Sequence, residues 1–447
     1  METILIQNFK AIKNTAKREI KIANLTILMG EQATGKSTVA KLVYFFKKLP
    51  EEMGFELLNN SEINSENFEK ELDGIARRFF ETLFDFHTIR DNFIITYRYE
   101  NNFYLRIHSD SRKGELYIKW PTENFIMSIK DSWIPYNIVS TKLKNGYNQE
   151  SYVNEDRLSI QLFKKTIGSF GSNQRAVYFP ASRNIVVSME NYLIDIFSKF
   201  DGNNRNNRHF YVSENDFIIR NFIKHIQIIK NRFRRGGFYE IIDSEKIERS
   251  DSDIFKEFIK WVEEILVGVY NYSDSEEKLY STSLKDYVFL ENASSGQQES
   301  VRIIQDIFLE VLDARPTFRV YEEPESHLSP VGQLGIIQLI AMLANRNPDN
   351  QIIIPTHTPY LLYEISNMLK ASAIVKSNPE LKDEVSKILK PYYWLDLESV
   401  SAYQLNRDGE IEDAKDLEYQ MIDGELFDRV TNETSDQFDK LLKLQGT

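Results

Sequence analysis

The sequence contains no cysteine, which excludes disulfides and thiolate metal sites and agrees with a cytoplasmic protein. It has no apolar run approaching ~18 residues, so no membrane span is expected. The N-terminus, Met1-Glu2-Thr3-Ile4-Leu5-Ile6, lacks the basic flank and long apolar run of a signal peptide. Positive charge is in deficit. Lys and Arg number 55 against 67 Asp and Glu, a formal net charge of -12. That balance argues against a surface coated in non-specific nucleic-acid contacts, but it leaves room for a local basic groove. Internal repeats and low-complexity tracts are absent as well. What is present is a soluble globular composition, 42% hydrophobic and 27% charged, with ample material for a core.

Short β-prone runs occupy 4–9, 18–22 and 25–29, the last entering a glycine-rich loop. Val39, Leu42, Val43 and Phe46 then repeat at helical spacing over 37–49. Residues 63–88 read as helix, and 92–99, 103–107 and 115–120 as strands of a meander. Another buried strand is expected at 175–180. From 185 to 285 the chain is richer in charge and helical period, with a loop at 201–208. The strand–helix rhythm returns as helices at 297–314, 331–344 and 359–369, with strands at 318–321 and 351–355. The alternation predicts an α/β fold with a mostly parallel P-loop sheet, an antiparallel β region and a helical insertion. The expected division is 1–184 and 286–447 as two parts of one domain, interrupted by 185–285. Residues 400–406 and 410–413 predict a closing hairpin around Arg407-Asp408-Gly409, and the last forty residues predict one or two helices.

Gly30-Glu31-Gln32-Ala33-Thr34-Gly35-Lys36-Ser37 fits the pattern of a P-loop without departure, and Thr38 continues it into the helix. The glycines let backbone N–H groups curl around phosphates, and the helix N-terminus adds its positive end. Lys36 is expected at the β- and γ-phosphate oxygens of ATP, and Ser37 on Mg2+. Phe318-Arg319-Val320-Tyr321-Glu322-Glu323-Pro324 is an apolar strand ending in two carboxylates. A strand end next to the P-loop strand sets them at the sheet edge where ligands of open α/β sheets lie. Glu322 is assigned to the metal and Glu323 to the attacking water.

Ser294-Ser295-Gly296-Gln297 opens a helix and offers a second anion site, or else a plain serine cap with Glu299 as capping partner. His357 follows the next buried strand and reads either as a packed or exposed histidine without a role or as a donor to the γ-phosphate. His327 reads equally as loop structure or as a contact across a dimer interface.

In order and spacing these motifs resemble the ABC-like AAA ATPases of the SMC, RecF and OLD group. The loop 30–37 is similar to their Walker A, and Ser294-Ser295-Gly296-Gln297-Gln298 to their signature. Glu322-Glu323-Pro324-Glu325-Ser326-His327-Leu328 is similar to their Walker B and D-loop, and Thr356-His357-Thr358-Pro359 to their switch histidine. The Glu-Glu-Pro-Glu-x-His-Leu form and Phe179-Pro180-Ala181-Ser182-Arg183 most resemble the OLD-like ATPases of bacterial anti-phage systems. Two positions depart from the pattern: Glu322 stands where an Asp is usual, and Ser295 where a first glycine is usual. Gln174 is the candidate for the family's glutamine loop.

The resemblance implies a head-to-tail homodimer or higher oligomer with two ATP molecules at the interface. OLD nucleases carry a C-terminal TOPRIM domain, whereas about ninety residues follow His357 here. Asp396, Asp408, Asp423 and Asp428 lie among them without a metal spacing. A separate effector is implied, as in the PARIS system with its TOPRIM nuclease and phage-encoded trigger, or the Septu system with its HNH nuclease. PARIS fits better by length. The competing expectation is a RecF/SMC-type DNA clamp in genome maintenance, for which 224–235, the most basic stretch, reads either as a phosphate contact or as a solvated helix face.

Overall fold

The computed structural model describes residues 1–14, 19–60, 62–85, 92–100, 103–110, 113–144, 149–171, 174–183, 214–234, 236–245, 251–273, 276–281 and 286–445. The chain opens with β1 (Glu2–Phe9), β2 (Ile12–Asn14) and β3 (Ile20–Ile22), followed by β4 (Leu25–Gly30) and the helices α1 (Lys36–Asn59) and α2 (Phe68–Phe84). The expected meander is present as β5 (Ile94–Arg98), β6 (Tyr104–Asp110) and β7 (Glu115–Lys119), and β5 pairs antiparallel with β1. Next come α3 (Glu123–Lys144) and α4 (Gln149–Ser169), which pack on each other. Neither helix is expected from sequence; Pro135 interrupts the pattern of α3.

After β8 (Arg175–Phe179) the described chain resumes with α5 (Glu214–Phe233), α6 (Phe238–Ser244) and α7 (Ser252–Leu266). The expected loop at 201–208 lies outside the described residues. The span read as a helical insertion also ends in strands, β9 (Val269–Ser273), β10 (Glu276–Tyr280) and β11 (Tyr287–Phe289), which form a small antiparallel sheet. The closing part carries α8 (Ser295–Asp313), β12 (Thr317–Tyr321), α9 (Pro330–Arg346), β13 (Gln351–Thr356), α10 (Pro359–Ser377) and α11 (Lys382–Ile388). It ends with β14 (Val400–Leu405), β15 (Ile411–Asp413), β16 (Lys415–Asp416), β17 (Met421–Ile422) and α12 (Glu425–Gln445).

Among the described residues the central sheet runs β15-β14-β4-β13-β12-β8, parallel throughout except for the edge strand β15. This order corrects one expectation. The carboxylate-bearing strand β12 is not beside the P-loop strand β4, because β13 lies between them. Strand order is set by crossover connections and leaves no local mark in the sequence.

Side chains on these strands alternate between two cores, as the pleat requires. Leu25, Ile27 and Met29 of β4 and Ile352 and Ile354 of β13 enter one core, with α5, α7, α8, α9 and α10. Leu28 of β4, Ile353 of β13 and Phe318 and Val320 of β12 enter the other, with α1, α2 and the N-terminal antiparallel sheet. Arg319 and Tyr321 share the first face and meet Asp306 of α8. Arg319 Nε donates to Asp306 Oδ2 at 2.8 Å, the Tyr321 hydroxyl donates to the same oxygen at 2.7 Å, and His225 Nε2 lies 2.6 Å from Oδ1. Burial alone would raise the Asp306 carboxyl, but Arg319 and His225 hold it well below the usual carboxylate range.

Helix α1 is longer than the expected 37–49 and passes through Pro50. Proline has no N–H, so the carbonyl of Phe46, one turn back, loses its helical partner. The Tyr99 hydroxyl of the adjoining sheet donates to that oxygen at 3.2 Å. Tyr99→Phe should therefore cost about 1–2 kcal/mol in denaturant unfolding, and clearly less in a Pro50→Ala background. Equal costs in the two backgrounds would contradict the account.

Candidate functional site

The parallel strands end together at one edge, and the site is built there. Gly30 ends β4 opposite Leu405 of β14. A Cβ on Gly30 would stand 2.4 Å from the Leu405 carbonyl oxygen, and its φ is +148°, so the position requires glycine. Ala33 and Gly35 also have positive φ, 62° and 101°, which curls the loop into a cradle of backbone N–H groups. Gly35 is the N-cap of α1 and offers no side chain to the first-turn donors. A cradle and a helix N-terminus left without a side-chain cap fit a phosphate group. Thr34 closes the loop by donating to the Glu31 carbonyl at 2.9 Å. Gln32, Ala33 and Ser37 are exposed, Glu31, Gly35 and Thr38 half-buried. Arg407, at the tip of the β14–β15 hairpin, pairs with the Glu31 carboxylate.

Lys36 is 5% exposed. Its ammonium donates to the carbonyls of Gly30 at 2.9 Å and Glu31 at 2.7 Å, and lies 3.4 Å from His357 Nδ1. Burial lowers it to about 8, against the pull of Glu323, Glu322 and Glu325. On its other side His357 presents Nε2 to Glu323 Oε1 at 3.2 Å. Burial and the Lys36 charge lower the histidine, with Glu323 opposing. A neutral ring that accepts from Lys36 at Nδ1 and donates to Glu323 at Nε2 satisfies all three groups. The interposed strand β13 brings His357 between the loop and the carboxylate.

Glu322 is buried, its amide donating to the Phe179 carbonyl at 3.0 Å and its Oε2 accepting from the Ala181 amide at 3.2 Å. Glu323 has φ +43°, a left-handed conformation that costs a non-glycine residue about 1–2 kcal/mol. Its amide donates to the Pro355 carbonyl at 2.9 Å, and Ser326 Oγ to its Oε2 at 3.3 Å. Glu325, which sequence reasoning left without a role, is buried, bonded to the Thr356 hydroxyl and raised by burial. Arg183 also had no role assigned. Its guanidinium is fully buried and donates to the carbonyls of Pro180, Glu322 and Glu323. The signal in the sequence was its place at the end of the run Phe179-Pro180-Ala181-Ser182-Arg183, just past β8.

Ser294 caps α8, and its box partner is Gln297: the Gln297 side chain accepts from the Ser294 amide at 3.0 Å. Glu299, the partner expected from sequence, is buried instead, 3.5 Å from Arg183 and 3.7 Å from the exposed ring of His327. Ser294 and Ser295 face outward, while Gly296 is buried where a Cβ would strike the His327 carbonyl at 2.4 Å. Lys36, His357 and Glu323 thus form one cluster with Glu322 beside it. Ser294–Gln297 shares no hydrogen bond or ion pair with the loop among the described residues. Gln174 is far from all of these, at the opposite end of β8. There it accepts from Lys47 at 2.7 Å and cannot serve as the glutamine loop.

Among the described residues no group of three or more His, Asp or Glu side chains could hold a metal by itself. The expected ligands at this edge are the Ser37 hydroxyl, exposed at the start of α1, and the buried Glu322 carboxylate at the end of β12. That set fits Mg2+, which takes few protein ligands and completes its shell with phosphate oxygens and water. No helix among the described residues is long and apolar enough to cross a membrane.

Residues 1–362 match the AAA ATPase domain family. The chain belongs to that family. It is an ATPase, and its reaction is the hydrolysis of ATP. No curated protein matches it. Similar solved structures include an Smc head bound to the C-winged helix domain of ScpA (10% identity, 81% of this chain and 90% of that chain, TM-score 0.38). Another is an Smc head domain with an extended coiled coil bound to the C-terminal domain of ScpA, from Pyrococcus furiosus (12% identity, 97% and 100%, TM-score 0.36). A third is the SMC head domain from Thermotoga maritima (11% identity, 81% and 90%, TM-score 0.32).

With Lys36 on the phosphates as expected from the sequence, its lowered ammonium would make nucleotide affinity pH-dependent. Phosphate oxygens favour the ammonium, so above about pH 8 binding must take up a proton. Affinity should be full below that pH and fall by up to about tenfold per pH unit above it. Calorimetric titration between about pH 7 and 9.5 checks this, and a flat profile would contradict it.

Proposed function

We propose that this ATPase acts as a head-to-tail homodimer enclosing two ATP molecules, and that the closed dimer is a sensor switch controlling a separate nuclease in anti-phage defence. The observation that carries the first part is the separation of the two half-sites. Ser294 and Ser295 stand outward at the start of α8, while the loop of the same chain presents Gln32, Ala33 and Ser37 to solvent. A lone loop leaves one side of the γ-phosphate open to water, and a second helix N-terminus from a partner copy would complete the cage.

Within each half-site, Lys36 and the cradle N–H groups would hold the β- and γ-phosphates, with Ser37 and Glu322 toward Mg2+. That ion, when bound, neutralises charge developing on the phosphates. Glu323 would orient the attacking water. His357, bonded to both Lys36 and Glu323, would keep that carboxylate aimed until the γ-phosphate arrives.

The second part draws on the C-terminal segment. Asp396 is held by the Ser372 hydroxyl at 2.5 Å and by Lys376 at 2.8 Å, and Asp408 accepts from the Glu410 amide at 3.0 Å. These carboxylates are engaged in local structure, which favours an effector on another chain, of TOPRIM type first and HNH type second. The DNA-clamp reading draws on the basic stretch 224–235. There Lys230 meets Glu277 and Arg232 meets Asp313, each at 3.2 Å. Those cations are already paired inside the chain.

Two variants test closure. Lys36→Ala and Ser295→Arg should each be inactive alone. In an equal mixture half the dimers are mixed, and each holds one intact site of two, so about a quarter of normal turnover should return. No recovery in mixed oligomers shown to form would sink the reading. For the switch, affinity capture should retain a nuclease subunit; ATP-dependent DNA retention by the protein alone, with no nuclease captured, would reverse it.

A further inference from the structure

Arg183 is the one fully buried guanidinium among the described residues that touches the backbone of both Walker B carboxylates. Nη1 donates to the carbonyl of Pro180 at 3.0 Å and to that of Glu322, and Nη2 donates to the carbonyl of Glu323 at 3.0 Å. Nη2 also lies 3.5 Å from Glu299 Oε2 on α8, four residues after Ser295. Taking a guanidinium out of water costs several kcal/mol, and carbonyl oxygens repay it only in part. A tie of apolar groups would hold the fold as well. What the fork adds is geometry: one rigid plane fixes two successive carbonyls and the signature helix together. The carbonyls it grips flank the Glu323 residue held at φ +43°, a conformation that persists only where its surroundings enforce it.

We propose that Arg183 is a positioning residue for ATP hydrolysis. It locks the Glu322–Glu323 backbone to the signature helix and thereby aims the Glu323 carboxylate. The proposal rests on the reading that Glu323 orients the attacking water. It adds a consequence: in a head-to-tail dimer the helix that contacts one nucleotide is strutted to the carboxylate serving the other. The state of each site then reaches its neighbour through this strut.

A double-mutant cycle on ATP turnover tests it. Arg183→Gln should lower kcat about 10- to 100-fold, the scale of a small misplacement of a reacting group, while KM changes less than about threefold. Arg183→Lys, which keeps the charge but not the fork, should recover part of the loss. In a Glu323→Gln background, with residual turnover followed by radiolabelled ATP, Arg183→Gln should cost nothing further, because it acts through the carboxylate already removed. A full additional loss there marks a general structural role and overturns the proposal. So does a kcat for Arg183→Gln within about twofold of the unaltered protein. Should Arg183→Gln fail to fold, Glu299→Gln keeps the shape and weakens the same strut, and should show the same split at smaller size. Normal turnover in Glu323→Gln alone sinks the water-orienting reading and the strut with it. An inactive Glu323→Gln beside an active Arg183→Gln sinks the strut alone.

Discussion

Parallel strands cannot be joined by tight turns, and that constraint organises this molecule. Each step between parallel strands of the central sheet needs a crossover, and every crossover returns the chain to the same starting edge. The C-terminal ends of the parallel strands therefore gather at the other edge, bringing together Gly30, Phe179, Glu322, His357 and Leu405, which span more than 300 residues of the chain. Crossovers also tolerate length. Strands β5–β7 with α3 and α4 fit between β4 and β8, and the helices and small sheet of 214–289 fit between β8 and α8. Neither disturbs the register of the strands that carry chemistry.

The edge so formed has an electrostatic problem, and the site is its solution. Lys36 is buried where water cannot support its charge, and three carboxylates, Glu322, Glu323 and Glu325, face it. None is positioned by direct contact with the ammonium. Instead, His357 stands between Lys36 and Glu323 as a neutral bridge, Glu322 leans on an amide, and Glu325 on a hydroxyl. A second buried system lies deeper, where Asp306 of α8 is gripped by Arg319 and Tyr321 of β12 and by His225 of α5. Together with Arg183 it ties α8 to β12 at two levels. A helix tied that firmly does not shift without moving the strand end beside it, which is the property a switch requires.

Much of this was legible in the residues. The loop 30–37, the strands 25–29, 318–321 and 351–355, the meander and the closing hairpin all carry strong local signals, and the structure holds them at nearly the expected bounds. What escaped is non-local. Nothing in β13 announces that it sits between β4 and β12, and so the mediating place of His357 could not be read. Gln174 has the right order in the chain but the wrong end of its strand, since polarity of a strand relative to a site is a property of the whole sheet. Arg183 closed a run that marked the family resemblance but carried no role, and only burial revealed its grip on three carbonyls. Helix α3 was hidden by Pro135 and by apolar residues scattered around its axis.

The central claim is that the half-site at Ser294 closes on the loop of another copy. The absence of cysteine makes this directly measurable, because any introduced thiol is the sole reactive one. Copies carrying Gln32→Cys are mixed with copies carrying Ser294→Cys and treated with a short bismaleimide, with and without ATP and Mg2+. The account predicts a cross-linked pair of unlike copies that forms with nucleotide and not without it. Thiols that react singly with maleimide yet never join two chains in the presence of ATP would contradict it.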